Sequence, residues 1–125
     1  MIEILLFNVV GMLIVCLLAA PNEVLRSKCA EITENKMDRT FFHALANSIM
    51  CGIIIQLAVE LKAKDNLLTT ILCVIAFILC GFEHCIANVF YYICDGVFTW
   101  QAIIYFIIYI LGNSIGAIGF KELIK

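Results

Sequence analysis

The sequence predicts an all-α integral membrane protein with four transmembrane helices, the third broken near its centre. Three observations predict it. First, 64% of the 125 residues are apolar and only 14% charged, against about 45–50% and about 25% in a soluble domain. A soluble globule of this size leaves roughly 30% of its chain surface in water, more than so few polar groups can cover. Second, the apolar residues gather into four runs, each long enough for a bilayer at about 20 residues per crossing. Third, the third run is too long for one straight helix and carries Gly81-Phe82-Glu83-His84 at its centre. The same composition excludes a disordered chain. A net charge of −2 with no basic run excludes a nucleic-acid binder.

The first run, residues 1–20, carries only Glu3 and Asn8 as polar residues and stops at Pro21. A secretory signal opens with positive charge. Here the first cation is Arg26, so the run is read as a retained membrane helix. Residues 22–40 mix Glu23, Arg26, Lys28, Glu31, Glu34, Lys36, Asp38 and Arg39; they read as a solvated loop with room for a short interfacial helix. The second run, 41–61, is interrupted by Asn47, Gln56 and Glu60, and His43 and Asn47 share a helix face. Residues 62–66 form a tight turn before the third run, 67–94. Asp95-Gly96 makes the next turn, and 97–120 is the fourth run, with Gly112, Asn113, Gly116 and Gly119. The whole chain reads as one partial transmembrane channel domain. Lys and Arg divide evenly between the two sides, but the short, purely basic patches at Lys62/Lys64 and Lys121/Lys125 place the C-terminal tail in the cytoplasm.

The seven cysteines show no CxxC spacing and lie mostly in apolar runs. They read as packing residues rather than a disulfide framework. Cys80 and His84 are four apart, but no second histidine or acidic cluster completes a ligand set, so no metal site is expected. Asn8-x-x-Gly11 in the first run is echoed by Asn113-x-x-Gly116 in the fourth. These runs cross in opposite senses, as in an inverted-topology repeat, although Gly and Asn also serve simple helix packing.

Glu83 and His84 are the residues most suited to chemistry. An ionisable group at the centre of a membrane helix costs about 2.5–3.5 kcal/mol even on the mildest scale, and survives where it meets water, a substrate path or a partner charge. Adjacent residues of a regular helix point about 100° apart, so one of the two lines a path while the other makes a structural pair. Gly81 permits local unwinding, which at membrane depth needs protein or a water-filled cavity around it. A half-helix N-terminus there offers N–H groups to an anion, and an imidazole holds or releases a proton near neutral pH. These are parts for weak-acid anion permeation. Asn47 and Asn88 are mid-run amides that need partners; Asn47 either hydrogen-bonds His84 or holds two helices together. Phe77 lies two turns before His84, as a constriction or as a lipid- or helix-facing ring.

The stretch Gly81-Phe82-Glu83-His84-Cys85-Ile86-Ala87-Asn88-Val89-Phe90 closely resembles the signature of the formate/nitrite transporter family, Gly-Phe-Glu-His-Ser-(Ile/Val)-Ala-Asn-Met-Phe. Only Cys85 and Val89 differ. Ala46-Asn47, Met50-Cys51 and Leu57-Ala58-Val59 resemble the family's fourth helix, Leu111 to Gly116 its sixth, and Asn8-x-x-Gly11 its third. The resemblance runs over helices three to six, the C-terminal two-thirds of the family fold. It implies an aquaporin-like inverted-repeat fold, here without its first two helices, and a homopentamer in which each protomer has its own pore. It implies His84 as the central pore histidine, Asn47 as its polar neighbour, Phe77 as a constriction residue, Asn88 on the path, and a charge pair between Glu83 and Lys28. The expected activity is passage of small monovalent anions (formate, nitrite or hydrosulfide), passive or proton-coupled, in the cell membrane. No enzyme chemistry and no cofactor are implied. The alternative expectation is a non-conducting fragment or structural subunit that needs a separate chain to supply the two missing helices.

Overall fold

The computed structural model describes residues 2–125, with residues 2, 4 and 5 described by backbone alone; Met1, at the start of the predicted first helix, lies outside the described residues. The elements are α1 (Ile2–Ala19), α2 (Glu23–Met37), α3 (Phe41–Ala63), α4 (Leu67–Leu79), α5 (Cys85–Asp95) and α6 (Trp100–Leu123). Among the described residues there is no strand. Two of these helices, α3 and α6, are long and apolar enough to cross a membrane. The helices form two compact units. The first holds residues up to Thr40 and Cys85–Ile107; the second holds Phe41–His84 and Ile108–Lys125.

In the first unit, α1 ends two residues before Pro21, and Asn22 caps α2 by accepting the Leu25 N–H at 3.0 Å. Residues 22–40 were expected to be mainly loop, yet 15 of them are helical. Glu23 in the first turn and Lys36 in the last complement the helix dipole. Lys28 and Glu31 pair on the exposed face at 2.6 Å. Cys29, Thr33 and Lys36 are buried at a four-then-three spacing, which is one helical stripe. The helix α5 packs against both α1 and α2 and buries Asn88 and Tyr92. After α5, Gly96 takes a φ of +75°, and the Val97 N–H closes on the Tyr92 carbonyl at 2.9 Å. This turn delays the last helix. It starts at Trp100, not at residue 97, with Thr99 Oγ1 accepting the Ala102 N–H at 3.2 Å. Gln101 Nε2 donates to the Met37 carbonyl at 3.0 Å, and the Tyr105 hydroxyl donates to the Arg39 carbonyl.

In the second unit, α3 buries Ala44, Ser48, Cys51, Gly52 and Ala58, a stripe of small side chains. Two glycines of α6 meet it. A Cβ on Gly112 would overlap the Ser48 hydroxyl, and one on Gly116 would overlap the Ile49 carbonyl oxygen. Close backbone approach of this kind is how helices associate where lipid removes the hydrophobic drive between them. The turn after α3 places Asp65 at a φ of +55°, and Asn66 then caps α4 by accepting the Thr69 N–H at 3.2 Å. The helix α4 packs on α3. At 13 residues it rises only about 20 Å, short of a hydrocarbon core of about 30 Å. Leu18, Leu79 and Trp100 are about four-fifths exposed. Apolar exposure on this scale is unfavourable in water and ordinary against acyl chains.

Candidate functional site

The predicted third run is interrupted at Cys80–His84, and the interruption begins for a local reason. The Cys80 N–H closes on the Ala76 carbonyl at 2.9 Å and the Gly81 N–H on the Ile78 carbonyl at 3.1 Å. Gly81 then takes a φ of +62°. This left-handed conformation costs a residue with a Cβ roughly 1 kcal/mol or more, and glycine there ends the helix.

Backbone released from a helix at membrane depth must find other partners. Here the second unit supplies them from both sides of Glu83. The Glu83 N–H points to the Asn47 carbonyl of α3 at 3.4 Å, a long bond. The Glu83 carbonyl accepts from Asn113 Nδ2 of α6 at 2.7 Å. The same Nδ2 donates to the Ser48 carbonyl of α3 at 2.8 Å. One amide group therefore spends both its protons on two carbonyls and holds the broken segment to α3.

The side chains at the break diverge. Glu83 is fully buried, with 0% exposure, whereas His84 is half-buried. The regular-helix argument for their divergence does not apply, because neither residue is helical. The ring of Phe77, on the last turns of α4, meets the His84 ring edge-on with centroids 5.7 Å apart and planes at 67°. The half-buried imidazole, flanked by an aromatic edge, thus stands beside a residue whose backbone is held by two hydrogen bonds.

The predicted site residues thus fall into two groups. Asn47, Phe77, Glu83 and His84 belong to the second unit and come together at the break. Asn47 contributes its backbone carbonyl there. Asn88 and Lys28 belong to the first unit: Asn88 is buried on α5, at 1% exposure, and Lys28 is exposed and paired with Glu31. The buried lysine of α2 is Lys36, at 6% exposure, with its ammonium 5.9 Å from the centroid of the Tyr91 ring. Sequence reasoning did not single out Lys36 or Ser48, and it read Asn113 only as part of the Asn-x-x-Gly echo, not as a site residue. For Asn113 a signal existed: an amide flanked by Gly112 and Gly116 in an apolar run marks a close crossing with a polar clamp.

Comparison with known proteins agrees with this picture. The formate/nitrite transporter family model matches residues 1–125. The chain is 34% identical to the uncharacterized transporter YrhG of Bacillus subtilis (strain 168) over 106 residues, which cover 78% of this chain and 40% of that protein. It is 37% identical to the formate channel FocB of Escherichia coli (strain K12) over 62 residues, 46% of this chain and 22% of that protein. The matched regions thus span 40% or less of either relative. No solved structure matches the chain.

Proposed function

The chain belongs to the formate/nitrite transporter family, and on that premise we propose that it forms part of a transmembrane path for small monovalent anions, with His84 as the protonatable residue of that path. The substrate class is formate, nitrite or hydrosulfide; formate is favoured because one relative is a formate channel. The observation that carries the reading is the mount of His84. It stands half-buried at the end of a helix break whose backbone is held by Asn47 and Asn113, with Phe77 against its ring.

The chemistry follows from the cost of moving charge through an apolar constriction. A bare anion loses its hydration there, which is expensive. A histidine titrates near neutral pH. In its charged form it offsets the anion's charge; by giving up its proton it converts a weak-acid anion into a neutral acid that crosses at far lower cost. Phe77 forms the apolar constriction and keeps bulk water off the imidazole. Asn47 and Asn88 lend polar contacts along the path, and Glu83 serves as the buried acid of a charge pair for which Lys28 was the expected partner. The assembly is a homopentamer in the cell membrane, each protomer spanning it several times with the C-terminus in the cytoplasm. The process is transport and not an enzymatic reaction.

The second reading is the alternative expectation, a structural subunit that conducts only beside a separate chain. One experiment decides between them. The chain is reconstituted into liposomes, and formate entry is followed with an internal pH dye. Entry well above that of protein-free vesicles, lost on His84→Ala, supports the first reading. Entry only when a second chain is co-reconstituted supports the second. Entry that never exceeds protein-free vesicles in either case contradicts both.

A further inference from the structure

Three of the seven cysteines, drawn from three helices, converge in the first unit. The Cys94 thiol of α5 donates to Cys16 Sγ of α1 at 2.8 Å, and the Cys16 thiol donates to the Phe90 carbonyl at 3.5 Å. Cys29 of α2 interacts electrostatically with the same Cys94. Cys94 is therefore the hub. Cys16 and Cys29 are buried, at 6% and 1% exposure, but Cys94 is only half-buried. It lines two shallow grooves of about 300 and 310 Å³, both of which also carry Arg26 and Asp95. Cys94 thus faces both grooves, Cys16 lines the second of them, and Cys29 lines neither. Among the described residues no three His, Cys, Asp or Glu side chains are placed to hold a metal ion, which leaves sulfur exchange as the chemistry open to these thiols.

We propose that Cys94, Cys16 and Cys29 form an oxidisable thiol site that takes a low-molecular-weight disulfide and converts it into a Cys16–Cys94 crosslink between α1 and α5. The Cys94 thiolate attacks one sulfur of the reagent. The reagent's S–S bond breaks, a mixed disulfide forms on Cys94, and the first reagent thiol leaves with a proton. Cys16 then gives up its proton and attacks the Cys94 sulfur. The protein S–S bond forms, and the second reagent thiol departs. The protein loses two electrons and two protons, and the reagent gains both. Burial pushes the Cys29 thiol up to about 11, helped by Cys94 and Asp95 beside it. Cys29, at 1% exposure and lining neither groove, acts as the reserve partner, and Cys16, 2.8 Å from Cys94, as the resolving one.

The test uses the full chain in detergent, so it does not depend on the transport reading or on topology. Reduced protein is incubated with oxidised glutathione and quenched in acid. Remaining thiols are then capped with a maleimide, and the peptides are mapped by mass spectrometry without reduction. The expected result is one intramolecular link, Cys16–Cys94, with the other cysteines capped. Cys94→Ser abolishes the link, and Cys16→Ser diverts it to Cys29–Cys94. The unmodified chain alone suffices if either variant fails to fold. The proposal is overturned if Cys94 stays capped while exposed Cys80 carries glutathione, or if the links join cysteines without preference for Cys94.

Discussion

The segments Asn8-x-x-Gly11 and Asn113-x-x-Gly116 share a pattern and differ in almost everything physical. On α6 the amide of Asn113 bridges two carbonyls, and Gly116 sits where a Cβ would strike the Ile49 carbonyl oxygen. On α1 both Asn8 and Gly11 are exposed, and a Cβ at Gly11 would meet nothing within 4 Å. The same four-residue pattern is a clamp in one unit and an open face in the other. A motif of this kind specifies a capacity for close approach; whether it is used depends on what is packed against it.

Substitutions can break or sharpen this contrast. The largest effect is expected from Gly116→Ala. Its methyl must push backbone atoms apart, so stability in detergent should fall by about 1–3 kcal/mol, the range for overpacking. Asn113→Ala comes next. It strands the Glu83 and Ser48 carbonyls, and at about 0.6–1.7 kcal/mol per hydrogen bond in a membrane protein unfolding should show a loss of about 1–3 kcal/mol. Hydrogen exchange should rise at residues 81–84 before it rises elsewhere.

A second contrast of buried and exposed partners lies within α2. Lys36→Ala removes a buried stem and a cation from the Tyr91 face, for a loss of about 1–2 kcal/mol. Lys28→Ala removes an exposed pair and should change stability by less than about 0.5 kcal/mol. Gly11→Ala closes the series with the opposite sign. Free of steric conflict, it should stabilise α1 by about 0.5–1 kcal/mol through lower backbone entropy in the unfolded chain. A loss at Gly11→Ala as large as that at Gly116→Ala would show that the α1 face is also a packed interface in the assembled protein.

Much of this architecture was legible in the sequence. The overlong third run and its central glycine foretold a break, and the break stands at Cys80–His84 with Gly81 in the left-handed region. The edge-on contact of Phe77 with His84 was not legible: the seven-residue spacing puts the two on one stripe only of an unbroken helix, and the helix ends at Leu79. Residues 22–40 were harder, because dense charge reads as loop unless the cap at Asn22 and the buried stripe of Cys29, Thr33 and Lys36 are weighed together. That stripe explains why Lys36, not Lys28, is the buried lysine: seven residues after Cys29 is two helical turns, whereas Lys28 lies one residue off the stripe. The partners of Asn113 were illegible for a different reason. Its partners Ser48 and Glu83 lie 65 and 30 residues away, and no local pattern encodes which carbonyls a mid-helix amide will meet.

Under the proposed function, the break presents His84 as a proton-exchanging group on an anion path. Formate flux measured in liposomes from pH 5 to 8, under whichever reconstitution conducts, tests it most directly, with His84→Ala beside the unsubstituted protein. The account predicts a flux that changes across the range where histidine titrates and, in the folded variant, a drop of about tenfold or more with that pH dependence gone. A His84→Ala protein that keeps both the rate and the pH profile would contradict it.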